Sequence, residues 1–294
     1  MLIDASLSGT FPALVTPFTA DGRAVDFDSF ASLIQIHLKC GVAGVVACGS
    51  TGEAATLSDE EYRAVLEAAV AACAGQVPVI AGVNSSSTQR AAAMAREAQA
   101  LGVDAVLVVA PPYNKPSQAG ILAHFAAVRT GLSIPILAYN IPGRAVANIL
   151  PATVAQLARE KIIVGLKDSS GSIDQFLDTR AALGTTPLAI LSGEDSLVHC
   201  QMACGGQGVI SASANLIPEL FVEITTSALK GDWNGALKAQ MRALPIVRAL
   251  FTETNPVPVK AALALRGWIK HPTVRLPLLG ASASTIDLLG RVLG

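Results

Sequence analysis

The chain is predicted to be an α/β protein, a (β/α)8 TIM barrel with a C-terminal helical appendix. Three observations carry this expectation. Short apolar runs recur, each followed by a polar or glycine-rich bend and then a longer segment of helical periodicity, the pattern of parallel strands joined by crossover helices. Eight such runs occur in a chain of 294 residues, which favours closure into a barrel over an open sheet. The composition is 51% hydrophobic and only 15% charged, with few aromatics, which suits strands buried on both faces.

The predicted strands lie at 10–16, 44–48, 78–82, 105–110, 134–139, 163–167, 188–192 and 208–211. Between them, helical periodicity covers 26–40, 59–74, 87–101, 118–130 and 151–160. Ser58 followed by Glu61 forms a capping box, and Pro151 suits a first helical turn because its missing N–H has no partner there. After residue 216 the strand pattern stops, and helices follow at 218–229, 233–250, 255–266 and 283–293. The expected organisation is a barrel over 1–216 and a helical region over 217–294 packed on it, since no Gly-, Ser- or Pro-rich linker marks an independent domain.

Composition excludes several classes of function. The net charge is −1 with no basic stripe, so no nucleic-acid partner is expected and a small molecule is. No run reaches about 18 uninterrupted apolar residues, and MLIDASLSGTF has neither a basic start nor a sustained apolar stretch, so no membrane partner is expected and a cytoplasmic location is. The five cysteines show no CxxC spacing and read as reduced thiols packed as small hydrophobes. His37, His124, His199 and His271 lack ligand spacing, so no metal is expected. Neither a P-loop nor a GxGxxG stretch is present, and no cofactor is expected.

In a parallel barrel the strand C-termini share one face, and active sites sit there. Gly49-Ser50-Thr51-Gly52-Glu53 follows strand two, Pro111-Pro112-Tyr113-Asn114-Lys115 follows strand four, Tyr139-Asn140 ends strand five and Lys167-Asp168 ends strand six. Four segments thereby aim hydroxyls and an amine at one mouth. Lys167 closes the run Ile-Ile-Val-Gly-Leu, near a dry wall where desolvation favours the neutral, nucleophilic amine. A lone strand-end lysine ordinarily reaches out to solvent, and Tyr139 alone reads equally as a core tyrosine. Convergence on one mouth turns both toward chemistry, with the Tyr139 phenol as a proton shuttle. The GSTGE loop supplies two hydroxyls and free N–H groups, which suit a carboxylate.

These segments identify a resemblance that spans nearly the whole chain. ALVTPF at 13–18, GSTGE at 49–53, PPYNKPSQ at 111–118, YNIPGR at 139–144, GLKDSSG at 165–171, SGED at 192–195, GGQGVISASAN at 205–215 and NPVPVK at 255–260 resemble the dihydrodipicolinate synthase family, within the N-acetylneuraminate lyase superfamily of class I aldolases. The resemblance implies Lys167 as a Schiff-base lysine toward pyruvate and Tyr139 as general acid/base. It implies Thr51 with Ser50 as binders of the keto-acid carboxylate, and Ile210 as a wall of the pyruvate pocket. It further implies a proton relay from Tyr139 through Ser50 to Tyr113, the last reaching in from a neighbouring subunit, in a homo-oligomer built as a dimer of dimers. The second substrate would be L-aspartate 4-semialdehyde, its carboxylate clamped by Arg144 in bidentate fashion.

Departures from the family pattern concentrate around the second substrate. Ser50 stands where the family usually has Thr, Pro112 replaces an aromatic before Tyr113, Ala145-Val146 replace a smaller pair, and KDSSG replaces KEATG. A retro-aldolase or dehydratase acting on a 2-keto-3-deoxy sugar acid keeps the same imine chemistry and is the alternative. A catalytically inactive sensing barrel is disfavoured because every expected reactive group is present. Feedback inhibition by lysine in the family uses imidazole and carboxylate groups near Asp59, Tyr62 and Arg90, so inhibition is expected to be weak or absent.

Overall fold

The computed structural model describes residues 7–294; residues 1–6, which open the stretch read above for a leader, lie outside the described residues. The strands are β1 (Gly9–Pro12), β2 (Val45–Ala47), β3 (Val79–Val83), β4 (Ala105–Val109), β5 (Ile136–Asn140), β6 (Gly165–Asp168), β7 (Ala189–Ser192) and β8 (Gly208–Ser211). They form one parallel sheet in the order β1-β8-β7-β6-β5-β4-β3-β2. The two ends of that order meet. Ala13 bridges Val46 in the parallel sense, the Leu14 N–H donates to the Val46 carbonyl at 2.8 Å, and the Ala43 N–H donates to Thr10 at 2.8 Å.

The helices are α1 (Phe27–Lys39), α2 (Asp59–Cys73), α3 (Thr88–Ala100), α4 (Gln118–Arg129), α5 (Pro142–Ala145), α6 (Pro151–Arg159), α7 (Ile173–Leu183), α8 (Val198–Ala203), α9 (Pro218–Leu229), α10 (Trp233–Leu250), α11 (Val257–Leu265) and α12 (Ala283–Leu293). The expected capping box is formed: the Ser58 hydroxyl accepts the Glu61 N–H while the Glu61 carboxylate accepts the Ser58 N–H. Three helices escape the sequence periodicity. α5 is a single turn and α8 has 6 residues, too short to show helical spacing, while α7 has 11 residues and buries Phe176, Thr179 and Leu183. β1 is shorter than expected because pairing with β8 gives out just beyond it: the Ala13 N–H still donates to the Ser211 carbonyl at 2.7 Å, but the Leu14 N–H goes to Val46 of β2 and the Val15 N–H is taken by the Asn215 side chain at 3.1 Å.

Strand parity divides the core into two layers. Phe11, Val46, Ile80, Leu107, Leu137, Tyr139, Leu191 and Ile210 pack inside the barrel. Val106, Val108, Ile136, Ala138, Leu166 and Ile190 face the helices. Both faces are dry, so the strands read as continuous apolar runs rather than alternating ones. α9 packs its Phe221 and Ile224 in one cluster with Val15 of the chain after β1 and Val209 of β8, and the Thr225 hydroxyl lies 2.9 Å from that of Thr10. α9 is thus seated directly on the barrel wall. No helix of the described residues is long and apolar enough to cross a membrane.

His37, on α1, is fully buried with both ring nitrogens unpartnered. Burial pushes its pKa from 6.5 down to about 3, so the folded state holds it neutral while the unfolded chain protonates it. Below pH 6.5 the unfolded state binds the extra proton, and stability is lost as pH falls toward 3, with a slope of about 1.4 kcal/mol per pH unit from this group. Asp168, Glu194 and Asp195, all raised by burial, contribute with the opposite sign. His37→Leu is therefore expected to be more acid-resistant than the parent. Parallel denaturation curves of the two proteins at every pH between 4 and 7 would contradict this.

Candidate active site

The reactive side chains are set by register. Val109, Tyr139, Lys167 and Leu191 are consecutive lateral partners across β4, β5, β6 and β7, so all four face one side of the sheet, the barrel interior. A slip of one residue in β6 would turn Lys167 out among the helices. Lys167 is 7% exposed, and its Nζ lies 4.3 Å from the centroid of the Tyr139 ring. Asp168, one residue on, points to the other side, where its carboxylate accepts from the Ser170 N–H and hydroxyl and from the Gln201 amide at 3.2 Å.

Lys167 reaches the mouth past Gly193. A Cβ at Gly193 would stand 2.0 Å from Ser169 Oγ and 3.0 Å from Lys167 Cε, so this glycine is required by space. The GSTGE loop starts from Cys48 at φ 55 and ends at Glu53 at φ 52, both in the left-handed region. Its turn is closed by Gly52 N–H to the Gly49 carbonyl and Glu53 N–H to the Ser50 carbonyl, each at 3.1 Å. Thr51 is buried, and its hydroxyl accepts the Asn255 amide at 2.9 Å. The Asn255 carbonyl in turn accepts Arg144 Nη2 at 2.9 Å, which aims the guanidinium along the mouth.

Ser50, Thr51, Tyr139, Arg144, Lys167 and Ile210 line one cavity of ≈ 80 Å³, together with Glu194 and Asn255. It opens into a wider vestibule of ≈ 280 Å³ that shares Ser50, Ile141, Arg144 and Asn255 and is walled by Ala54, Ala55, Pro277 and Leu278. The inner space is the size of a three-carbon acid, and the vestibule admits a longer partner. Tyr113 is the exception among the expected site residues. It is 88% exposed with φ 70, and projects away from the cavity of its own chain.

Electrostatics favour an anion-and-amine chemistry at the inner cavity. Burial raises the pKa of Glu194, and the neighbouring Asp195 adds to the rise while Lys167 opposes it. Asp195 is raised by burial, against its hydrogen bonds from Ser213 and the pull of Lys167. Carboxyl groups of raised pKa hold their protons to higher pH than free carboxylates do. Sequence reasoning assigned no role to Glu194, Gly193 or Asn255. The motifs SGED and NPVPVK carry them, but only the fold brings 193–195 and 255 to the same mouth as 50–51.

Comparison with known proteins agrees with this geometry. The model of the dihydrodipicolinate synthetase family matches residues 6–293. A 4-hydroxy-tetrahydrodipicolinate synthase of Sorangium cellulosum is 45% identical over 280 residues, covering 95% of this chain and 92% of the relative. The enzyme of the same name from Methanospirillum hungatei is 42% identical over 286 residues, 97% of this chain and 98% of the relative. The structure of the chloride-inhibited dihydrodipicolinate synthase from Acinetobacter baumannii complexed with pyruvate superposes with a TM-score of 0.94 at 35% identity, covering 98% of each chain. With the barrel, the strand-end lysine and the full-length likeness in agreement, this chain belongs to the dihydrodipicolinate synthetase family.

Proposed function

We propose that the chain is a cytoplasmic 4-hydroxy-tetrahydrodipicolinate synthase that condenses pyruvate with L-aspartate 4-semialdehyde. The observation that carries the reading is the single small cavity in which a buried lysine, a tyrosine, two loop hydroxyls and an arginine converge. The Lys167 amine adds to C2 of pyruvate, and loss of water gives the imine. Removal of a methyl proton gives the enamine, a transfer for which the Tyr139 phenol, its ring centroid 4.3 Å from Nζ, serves as the base. The enamine carbon attacks the aldehyde, and the amino group of the new adduct then attacks the imine carbon. Closure of the ring breaks the bond to Lys167 and returns the free amine.

Ser50 and Thr51 hold the pyruvate carboxylate, Ile210 walls the pocket and Arg144 takes the second carboxylate. The outward Tyr113 supports a homo-oligomer, since a phenol absent from its own cavity can complete the relay through Ser50 in a second copy; the dimer of dimers rests on the family resemblance. A coupled assay tests the reading: product from pyruvate and aspartate semialdehyde is expected, and turnover confined to 2-keto-3-deoxy sugar acids would replace it with the aldolase alternative.

The same reading bears on lysine. Arg90 Nη2 pairs with Asp59 Oδ1 at 2.5 Å, and the Tyr62 hydroxyl is committed to the Gly82 carbonyl at 3.0 Å. A guanidinium repels an ammonium, and a buried phenol offers it nothing. Lysine is expected to leave the rate unchanged up to millimolar levels; half-inhibition at low concentration would refute this.

A further inference from the structure

The loop that carries Ser50 and Thr51 is gripped at its far end by an ion pair with no access to water. Lys260 Nζ lies 2.6 Å from Glu53 Oε1, with the side chains 0% and 1% exposed. The same Nζ is 4.0 Å from the centroid of the Phe18 ring. Glu53 Oε2 accepts the Arg275 N–H at 2.9 Å, and the Arg275 guanidinium forks onto Glu61 with both contacts at 2.6 Å. A buried ion pair is weak support for stability, because desolvation offsets its attraction and an apolar pair of the same volume often does better. Its place in the loop accounts for it. Glu53 sits at φ 52, a left-handed conformation unfavourable to a residue with a Cβ, and its N–H closes the turn onto Ser50.

We propose that Glu53 and Lys260 are positioning residues for the pyruvate carboxylate: their buried pair fixes the Gly49–Glu53 turn, so that Ser50 and Thr51 stand in binding geometry before substrate arrives. The inference rests on the pyruvate reading above. Lys260 sits on α11, whose lead-in residue Asn255 holds the Thr51 hydroxyl, so one C-terminal segment holds both the middle and the far end of the loop. Burial pushes the Lys260 ammonium down to about 8, against the pull of Glu53, and Arg275 adds to the fall. Glu53 and Arg275 are the charged groups that act on it there. The pair therefore weakens above pH 8, and binding of pyruvate weakens with it.

The test is steady-state kinetics of the full-length protein with pyruvate varied, alongside the unfolding midpoint. Lys260→Met is expected to lower the midpoint and raise KM for pyruvate about tenfold, with kcat changed less than about threefold. The double variant Glu53→Met/Lys260→Met removes the unpaired charge, so it recovers the midpoint but not KM. The rise of KM above pH 8 in the parent is absent from the double variant. If Lys260→Met does not fold, Glu53→Gln and the double variant carry the same comparison. Recovery of KM together with stability in the double variant, or a KM within about twofold of the parent in all variants, would overturn the positioning role. A parent protein that does not use pyruvate at all overturns both readings, whereas normal saturation with unmoved variants overturns this one alone.

Discussion

Lys167→Ala is expected to lose the covalent pyruvate adduct completely and at least about 10³-fold in kcat, while folding as well as the parent. The loss is large because the imine splits a difficult condensation into easier steps, and among the described residues no other amine lines the inner cavity. Folding is retained because the change removes an amine from a site 7% exposed and leaves space that already adjoins the cavity. Incubation with pyruvate and borohydride, followed by mass measurement, reads the result directly. An adduct that survives in the variant, or its absence from the parent, would sink the Schiff-base assignment.

Gly193→Ala is expected to cost about 10²-fold in kcat/KM, the effect of misplacing a reacting group by about an ångström, with a stability loss of about 1–3 kcal/mol from overpacking. The added methyl would meet Ser169 Oγ at 2.0 Å and the Asp168 carbonyl at 3.1 Å as well as Lys167 Cε. Of these, the serine and the lysine side chains are free to yield, and movement of Lys167 is what activity detects. Adding Ser169→Gly in the Gly193→Ala background removes the closest contact and should recover part of the rate. Full activity of Gly193→Ala alone would show that the lysine has another way to the mouth.

Much of this protein is legible in one dimension. All eight strands were readable because both of their faces are dry, so each appears as an unbroken apolar run. Helices α1 to α4 and α6 were readable from apolar positions at helical spacing on one face, and α7 was not read. Lys167 stood out because a cation closed an apolar strand. Glu53 and Lys260 did not, because a carboxylate in a loop and a lysine in a helix are ordinary until they are seen to exclude water together.

The order of residues by itself determined the barrel, the strand-end position of Lys167 and Tyr139, and membership of a family of lysine-dependent aldol enzymes. Periodicity and strand-end chemistry are local properties, which a linear chain displays in full. Only the tertiary structure decided that Asn255 reaches Thr51, that Lys260 locks Glu53 and that Gly193 clears the path of Lys167. These are contacts between segments up to 207 residues apart, where which groups meet depends on barrel closure and on the seating of the C-terminal helices rather than on any nearby residue.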